Sequence, residues 1–130
     1  MKKDAIICVD DEILILVSLV QELKDLFGND FIIETAPNGE SALQLIHELD
    51  EEDTRTSIII SDWMMPGMKG DELIISARSK YPHIKGILIT GQAEEESIDR
   101  ACSDPDSIIF IEKPWHADDL ISAINKLTAR

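Results

Sequence analysis

The feature that most limits what this chain can fold into is an alternation. Five short apolar runs, Ala5 to Val9, Phe31 to Thr35, Ser57 to Ser61, Gly86 to Thr90 and Ser107 to Ile111, are each followed by polar or turn residues. Runs of this length, rich in Ile and Val, read as strands buried on both faces. Between and after them, apolar residues at three- and four-residue spacing predict helices over 12–27, 40–49, 71–80, 94–102 and 117–128. Five strands alternating with five helices predict an α/β fold, a doubly wound sheet with helices on both faces and right-handed crossovers. Ligands of such sheets bind beyond the carboxyl ends of the strands, where the strand order reverses. The residues standing at those ends are Asp10 and Asp11, Asp62, Thr90 and Lys113.

The punctuation between elements is consistent with this plan. Gly28 is a fitting stop for the first helix, Pro37-Asn38-Gly39 reads as a turn, and Tyr81-Pro82 ends the third helix. Gly91-Gln92 reads as another turn, Glu94-Glu95-Glu96 opens the helix through Cys102, and Asp118 and Asp119 cap the last one. Acids at the front of the first helix suit its dipole, and Ile15, Leu19, Leu23 and Leu26/Phe27 form its expected core stripe. A second stripe, Ile13, Leu14, Val17 and Val20, lies where charge would be expected. Either flanking helices bury it too, or it is an exposed apolar patch beside Asp10 and Asp11, of the kind that marks a partner surface. The run Asp50-Glu51-Glu52-Asp53 reads as a solvated loop reaching to Thr56, and His47 as a surface or boundary histidine.

Composition bounds the function. With 130 residues, 44% of them hydrophobic, one domain over 1–130 with one core is expected. A net charge of −14 argues against nucleic acid or anionic membrane as partner, and it argues for a bound cation. The longest apolar patch, Ile13 to Val20, is too short to span a bilayer and no signal peptide is visible, so a cytoplasmic protein is expected. Cys8 and Cys102 lack CxxC spacing and read as reduced structural thiols.

Three carboxylates brought together would repel, each pair at about 4 Å costing on the order of 4 kcal/mol at an effective dielectric near 20. A hard divalent ion with oxygen ligands, Mg²⁺ before others, would relieve them and leave positions for phosphate oxygens. Lys113 adds a compact ammonium and Thr90 a hydroxyl donor. Carboxylate nucleophile, metal, lysine and hydroxyl are what phosphoryl transfer onto an aspartate requires, with Asp62 as acceptor. None of His47, His83 and His116 follows a strand as a catalytic base might, and no Gly-rich phosphate loop is present.

The chain resembles a receiver domain of the two-component response-regulator family, in the CheY-like superfamily, over essentially its whole length. The matching pieces are Asp10-Asp11, Asp62-Trp63-Met64-Met65-Pro66-Gly67-Met68-Lys69-Gly70, Thr90-Gly91 and Lys113-Pro114, each after a strand and in order. The resemblance implies a flavodoxin-like (βα)5 three-layer sandwich with strand order 2-1-3-4-5. It implies that Asp62 accepts a phosphoryl group from a sensor histidine kinase or histidine phosphotransfer protein. It also implies that Asp10, Asp11, Asp62 and the backbone carbonyl of Met64 hold Mg²⁺, that Thr90 and Lys113 bind the phosphoryl oxygens, and that Thr90 and Phe110 form the switch. An ordinary strand aromatic is the other reading of Phe110. Receivers dock the first helix on their partner, which points to Ile13, Leu14 and Val17; a homodimer or a downstream effector domain is a further partner the family allows. Such a domain is a phosphoacceptor rather than an enzyme, with self-phosphorylation and slow autodephosphorylation as its only chemistry. Met64 stands where a polar, water-steering side chain is common, so slow hydrolysis is expected. Two rivals are a degenerate receiver acting as a constitutive binding module and a haloacid-dehalogenase-like phosphatase. The second would need an acid where Met64 stands.

Overall fold

The computed structural model describes residues 3–91 and 107–128. The helix expected over 94–102, with Cys102, lies outside the described residues. Five strands, β1 (Ala5–Val9), β2 (Ile32–Ala36), β3 (Thr56–Asp62), β4 (Lys85–Thr90) and β5 (Ile108–Glu112), form one parallel sheet of order β2-β1-β3-β4-β5. Four helices accompany them among the described residues: α1 (Ile13–Phe27), α2 (Gly39–Glu51), α3 (Gly70–Lys80) and α4 (Ala117–Thr128). This is the doubly wound, flavodoxin-like arrangement expected. The chain leaves β1 for one side of the sheet and later returns on the other, so a crevice opens over the ends of β1 and β3.

Successive side chains of a strand point to opposite faces, and here both faces are covered. Ala5, Ile7, Val9, Ile59 and Leu88 pack against Ala42 and Ile46 of α2 and Leu73, Ile74 and Ala77 of α3. Ile6, Cys8, Ile58, Ile60, Ile87 and Ile89 pack on Leu16, Leu19 and Leu23 of α1 and Leu120, Ile124 and Leu127 of α4. The single core expected from chain length is therefore two apolar layers divided by the sheet. Burial on both faces is the reason β1 and the Ile58–Ile60 centre of β3 read as unbroken apolar runs. Gly86 of β4 lies so near α3 that a Cβ there would meet the Ile74 side chain.

Several local expectations are corrected. Leu16, not Ile15, takes the first core position of α1, because Leu16, Leu19 and Leu23 keep one face at spacings of three and four while Ile15 is only half-buried. Glu12 is the extended N-cap residue and the first turn holds no acid, so the acids precede the helix rather than begin it. The acidic run is no loop throughout: α2 continues through Asp50 and Glu51, and the chain turns only at Glu52 and Asp53, whose φ is 68°. One contact suited to that extra turn is His47 Nε2, 2.9 Å from Glu51 one turn on. His47 is exposed, as expected, and its Nδ1 lies 3.3 Å from the Tyr81 hydroxyl beyond α3. Among the described residues no helix is long and apolar enough to cross a membrane.

Candidate functional site

The site begins where β1 stops. Asp10 N–H donates to the Ala36 carbonyl at the end of β2 (3.3 Å), and Asp10 Oδ1 accepts from Glu12 N–H at 2.8 Å. The turn into α1 thus holds this carboxylate inward, and Asp10 is buried whereas Asp11 is exposed. Asp62 closes β3 and is 9% exposed. One carboxylate oxygen from each of Asp10, Asp11 and Asp62 lies within 4.8 Å of the others. Loss of water raises the Asp10 carboxyl above its ordinary value of 3.8. The Glu12 N–H opposes this, Asp62 adds to it, Lys113 opposes it and Asp11 adds again.

Asp62 is fixed through its backbone. Trp63 N–H donates to the Ile89 carbonyl at 3.0 Å, carrying the β3–β4 ladder one residue past Asp62. Gly70 N–H donates to the Trp63 carbonyl at 3.0 Å and closes the loop between them. A Cβ at Gly70 would stand 2.5 Å from the Asp62 carbonyl oxygen and 2.7 Å from Leu88 Cδ2, so α3 can start this close only with glycine. Ser61 Oγ donates to the same Asp62 carbonyl at 2.9 Å. Sequence gives Ser61 and Gly70 no structural role of their own: their signals are only a small hydroxyl before the Asp and, at the end of the matching segment, a glycine eight residues after it.

From the far side comes Lys113, just past β5. Its N–H donates to the Thr90 carbonyl at 2.7 Å, and its Nζ lies 3.2 Å from Asp62 Oδ1. Thr90 is buried at the end of β4. Gly91 after it is exposed. Phe110 faces the other way, half-buried against the α2/α3 layer, with its ring 6.2 Å from that of Trp63 at 37°. Met64 carries an exposed side chain in the loop after Asp62. Ile13, Leu14 and Val17 are 73%, 78% and 62% exposed and Val20 is half-buried, so flanking helices do not bury the second stripe.

Three converging oxygen donors, two of them buried, with the Lys113 ammonium paired to only one of them, are the donor set of a hard divalent cation. The residues present fit such an ion.

Fold and strand ends together define the class: a doubly wound α/β domain with an acidic pocket at its topological switch. The family model of the response regulator receiver domain matches residues 6–125, and the chain belongs to that family, the phosphoaccepting signalling domains of two-component systems. It is similar to the hydrogenase transcriptional regulatory protein HoxA of Cupriavidus necator, 27% identical over 125 residues, covering 96% of this chain and 24% of that protein. It is also similar to the chemotaxis protein CheY-3 of Vibrio cholerae, 29% identical over 131 residues, covering 99% and 95%. The chain thus spans about a quarter of the first relative's length and nearly all of the second's. Among solved structures, the signal receiver domain of an HD domain-containing protein from Pseudomonas fluorescens Pf-5 superposes with a TM-score of 0.81 at 26% identity, covering 97% of this chain and 94% of that one.

Proposed function

We propose that Asp62 accepts a phosphoryl group from the phosphohistidine of a sensor histidine kinase or histidine phosphotransfer protein, with Mg²⁺ held by Asp10, Asp11, Asp62 and the Met64 carbonyl. The observation that carries this reading is the ammonium of Lys113 at 3.2 Å from Asp62 Oδ1, on a carboxylate whose oxygen also lies within 4.8 Å of oxygens of Asp10 and Asp11. A structural ion pair would need one acid; three imply a further positive species. In the transfer, an Asp62 oxygen forms a bond to phosphorus as the bond to the imidazole nitrogen of the donor breaks, and the imidazole leaves. Bound Mg²⁺ supplies charge neutralisation for the phosphoryl oxygens. Lys113 exchanges its carboxylate contact for a phosphoryl oxygen, and Thr90 donates its hydroxyl to another. The added charge of about −1.5 to −2 favours whichever arrangement draws these donors inward. Thr90 and Phe110 are the candidate switch, since Phe110 pairs in register with Leu88 of the strand that Thr90 ends.

Ile13, Leu14 and Val17, exposed immediately after Asp10 and Asp11, are the surface on which the phosphohistidine partner docks, a helical surface with an apolar face being the fitting occupant. The test uses the two tryptophans. Mg²⁺ and then beryllofluoride are titrated while Trp fluorescence is followed; stepwise changes are expected in the parent, and Asp62→Asn should lose the second. A parent that answers neither ligand and matches Asp62→Asn would overturn the phosphoacceptor reading.

A further inference from the structure

One contact joins the segment carrying Lys113 to a helix that phosphoryl acceptance itself leaves unused. Trp115 Nε1 donates to Glu22 Oε2 on α1 at 3.1 Å, a partly buried bond between residues 93 positions apart. The Trp115 ring packs on the apolar layer between the sheet, α1 and α4. Residues 113–116 thereby gain three fixed points: Lys113 N–H on Thr90, Trp115 on Glu22, and His116 N–H on Asp119 Oδ2 at 3.2 Å. The Glu22 carboxylate is half-buried, and its Oε1 is buried with no hydrogen-bond partner among the described residues. An apolar side chain would fill that place without the desolvation cost of an acid, so packing alone does not account for a glutamate.

We infer that Glu22 is a positioning residue: through Trp115 it fixes the backbone after β5 and so sets where the Lys113 ammonium meets Asp62. The consequence for phosphoryl transfer rests on the phosphoacceptor reading; the positioning itself does not. The same helix carries Ile13, Leu14 and Val17 toward its start, so the bond ties the lysine segment to the helix that presents them, though not to those residues.

The experiment measures amide hydrogen exchange at Lys113 and the initial rate of phosphorylation by acetyl phosphate with Mg²⁺, in the parent, Glu22→Ala, Glu22→Gln and Trp115→Phe. Glu22→Ala should raise exchange at Lys113 about tenfold and slow phosphorylation about fivefold. Glu22→Gln should restore both, since its amide oxygen still accepts from the indole. Trp115→Phe, which keeps a ring and removes only the donor, should reproduce Glu22→Ala and serves in its place if that variant does not fold. In a Lys113→Ala background Glu22→Ala should slow phosphorylation no further. Unchanged exchange at Lys113 in folded Glu22→Ala or Trp115→Phe would overturn the positioning role, as would a rate loss that persists undiminished without the lysine. A folded parent that takes no phosphoryl group overturns the phosphoacceptor reading instead, and the exchange comparison still decides the positioning.

Discussion

Lys113 Nζ reaches Asp62 Oδ1 at 3.2 Å across the end of β4, so the ammonium that follows β5 pairs with the carboxylate that ends β3, two strands that do not touch. Among the described residues that ammonium stands against three converging carboxylates, and the imbalance has a measurable cost in the metal-free protein.

Asp10→Asn should therefore stabilise the metal-free protein. The asparagine Oδ1 can still accept from Glu12 N–H, while the buried charge that desolvation and Asp62 disfavour is gone. A rise of about 2–5 °C in thermal midpoint without Mg²⁺ is expected, the size that follows from roughly 1 kcal/mol in a domain of this length. Mg²⁺ should raise the parent's midpoint and not the variant's. A lower midpoint for Asp10→Asn in the metal-free protein would show that the carboxylates are not in conflict.

Gly70→Ala tests how closely α3 abuts Asp62. The new methyl would lie 2.5 Å from the Asp62 carbonyl oxygen, and backbone cannot yield as a flexible side chain does. About 2 kcal/mol of destabilisation is expected, read as a lower urea midpoint at unchanged slope. Phosphorylation of the folded fraction should slow as well, since the movement displaces Asp62.

How far the sequence foretold these features depends on whether the signal is local. Strands β1, β3 and β4 were legible because burial on both faces leaves an apolar run at their centres, and the candidate site residues were legible because Asp10, Asp62, Thr90 and Lys113 each stand at or just past a strand end. The extra turn of α2 was not, since Asp50 and Glu51 read as solvent-loving whether they continue a helix or leave it. Leu16 displaced Ile15 because two apolar stripes on one helix leave the choice of core face to tertiary packing. The bond between Trp115 and Glu22 had no local signal at all, and Gly70 gave none of its crowding until α3 was seen against β4.

Val17→Glu separates docking from chemistry. The side chain is 62% exposed on α1, so folding stability should change by no more than about 0.5 kcal/mol. Transfer from a phosphohistidine partner should fall about tenfold, as for loss of one buried interface anchor, and much more than phosphorylation by acetyl phosphate does. Equal losses with both donors would place the defect in the site rather than at the surface.

His83 gives the domain a mild acid sensitivity. Loss of water, then the charge of Arg55, holds its imidazole below the ordinary value of 6.5, against the pull of Asp4, Asp50 and a hydrogen bond with the Thr56 backbone. The unfolded chain thus takes up this proton more readily than the folded one, so the stability tied to His83 is complete above 6.5 and declines as pH falls below it. His83→Gln should flatten that decline in urea midpoints measured at successive pH values; a parallel pH profile would show that other groups carry it.

The reach of Lys113 over β4 also sets a length requirement. Two strand spacings separate β5 from β3, roughly 10 Å in a sheet of this kind. Residue 113 therefore acts as a ruler. A shorter amine leaves its charge stranded above β4, and a guanidinium is broader and spreads its charge over a planar fork. What this position measures is width across the sheet, and charge conserved at the wrong length would not restore the pair.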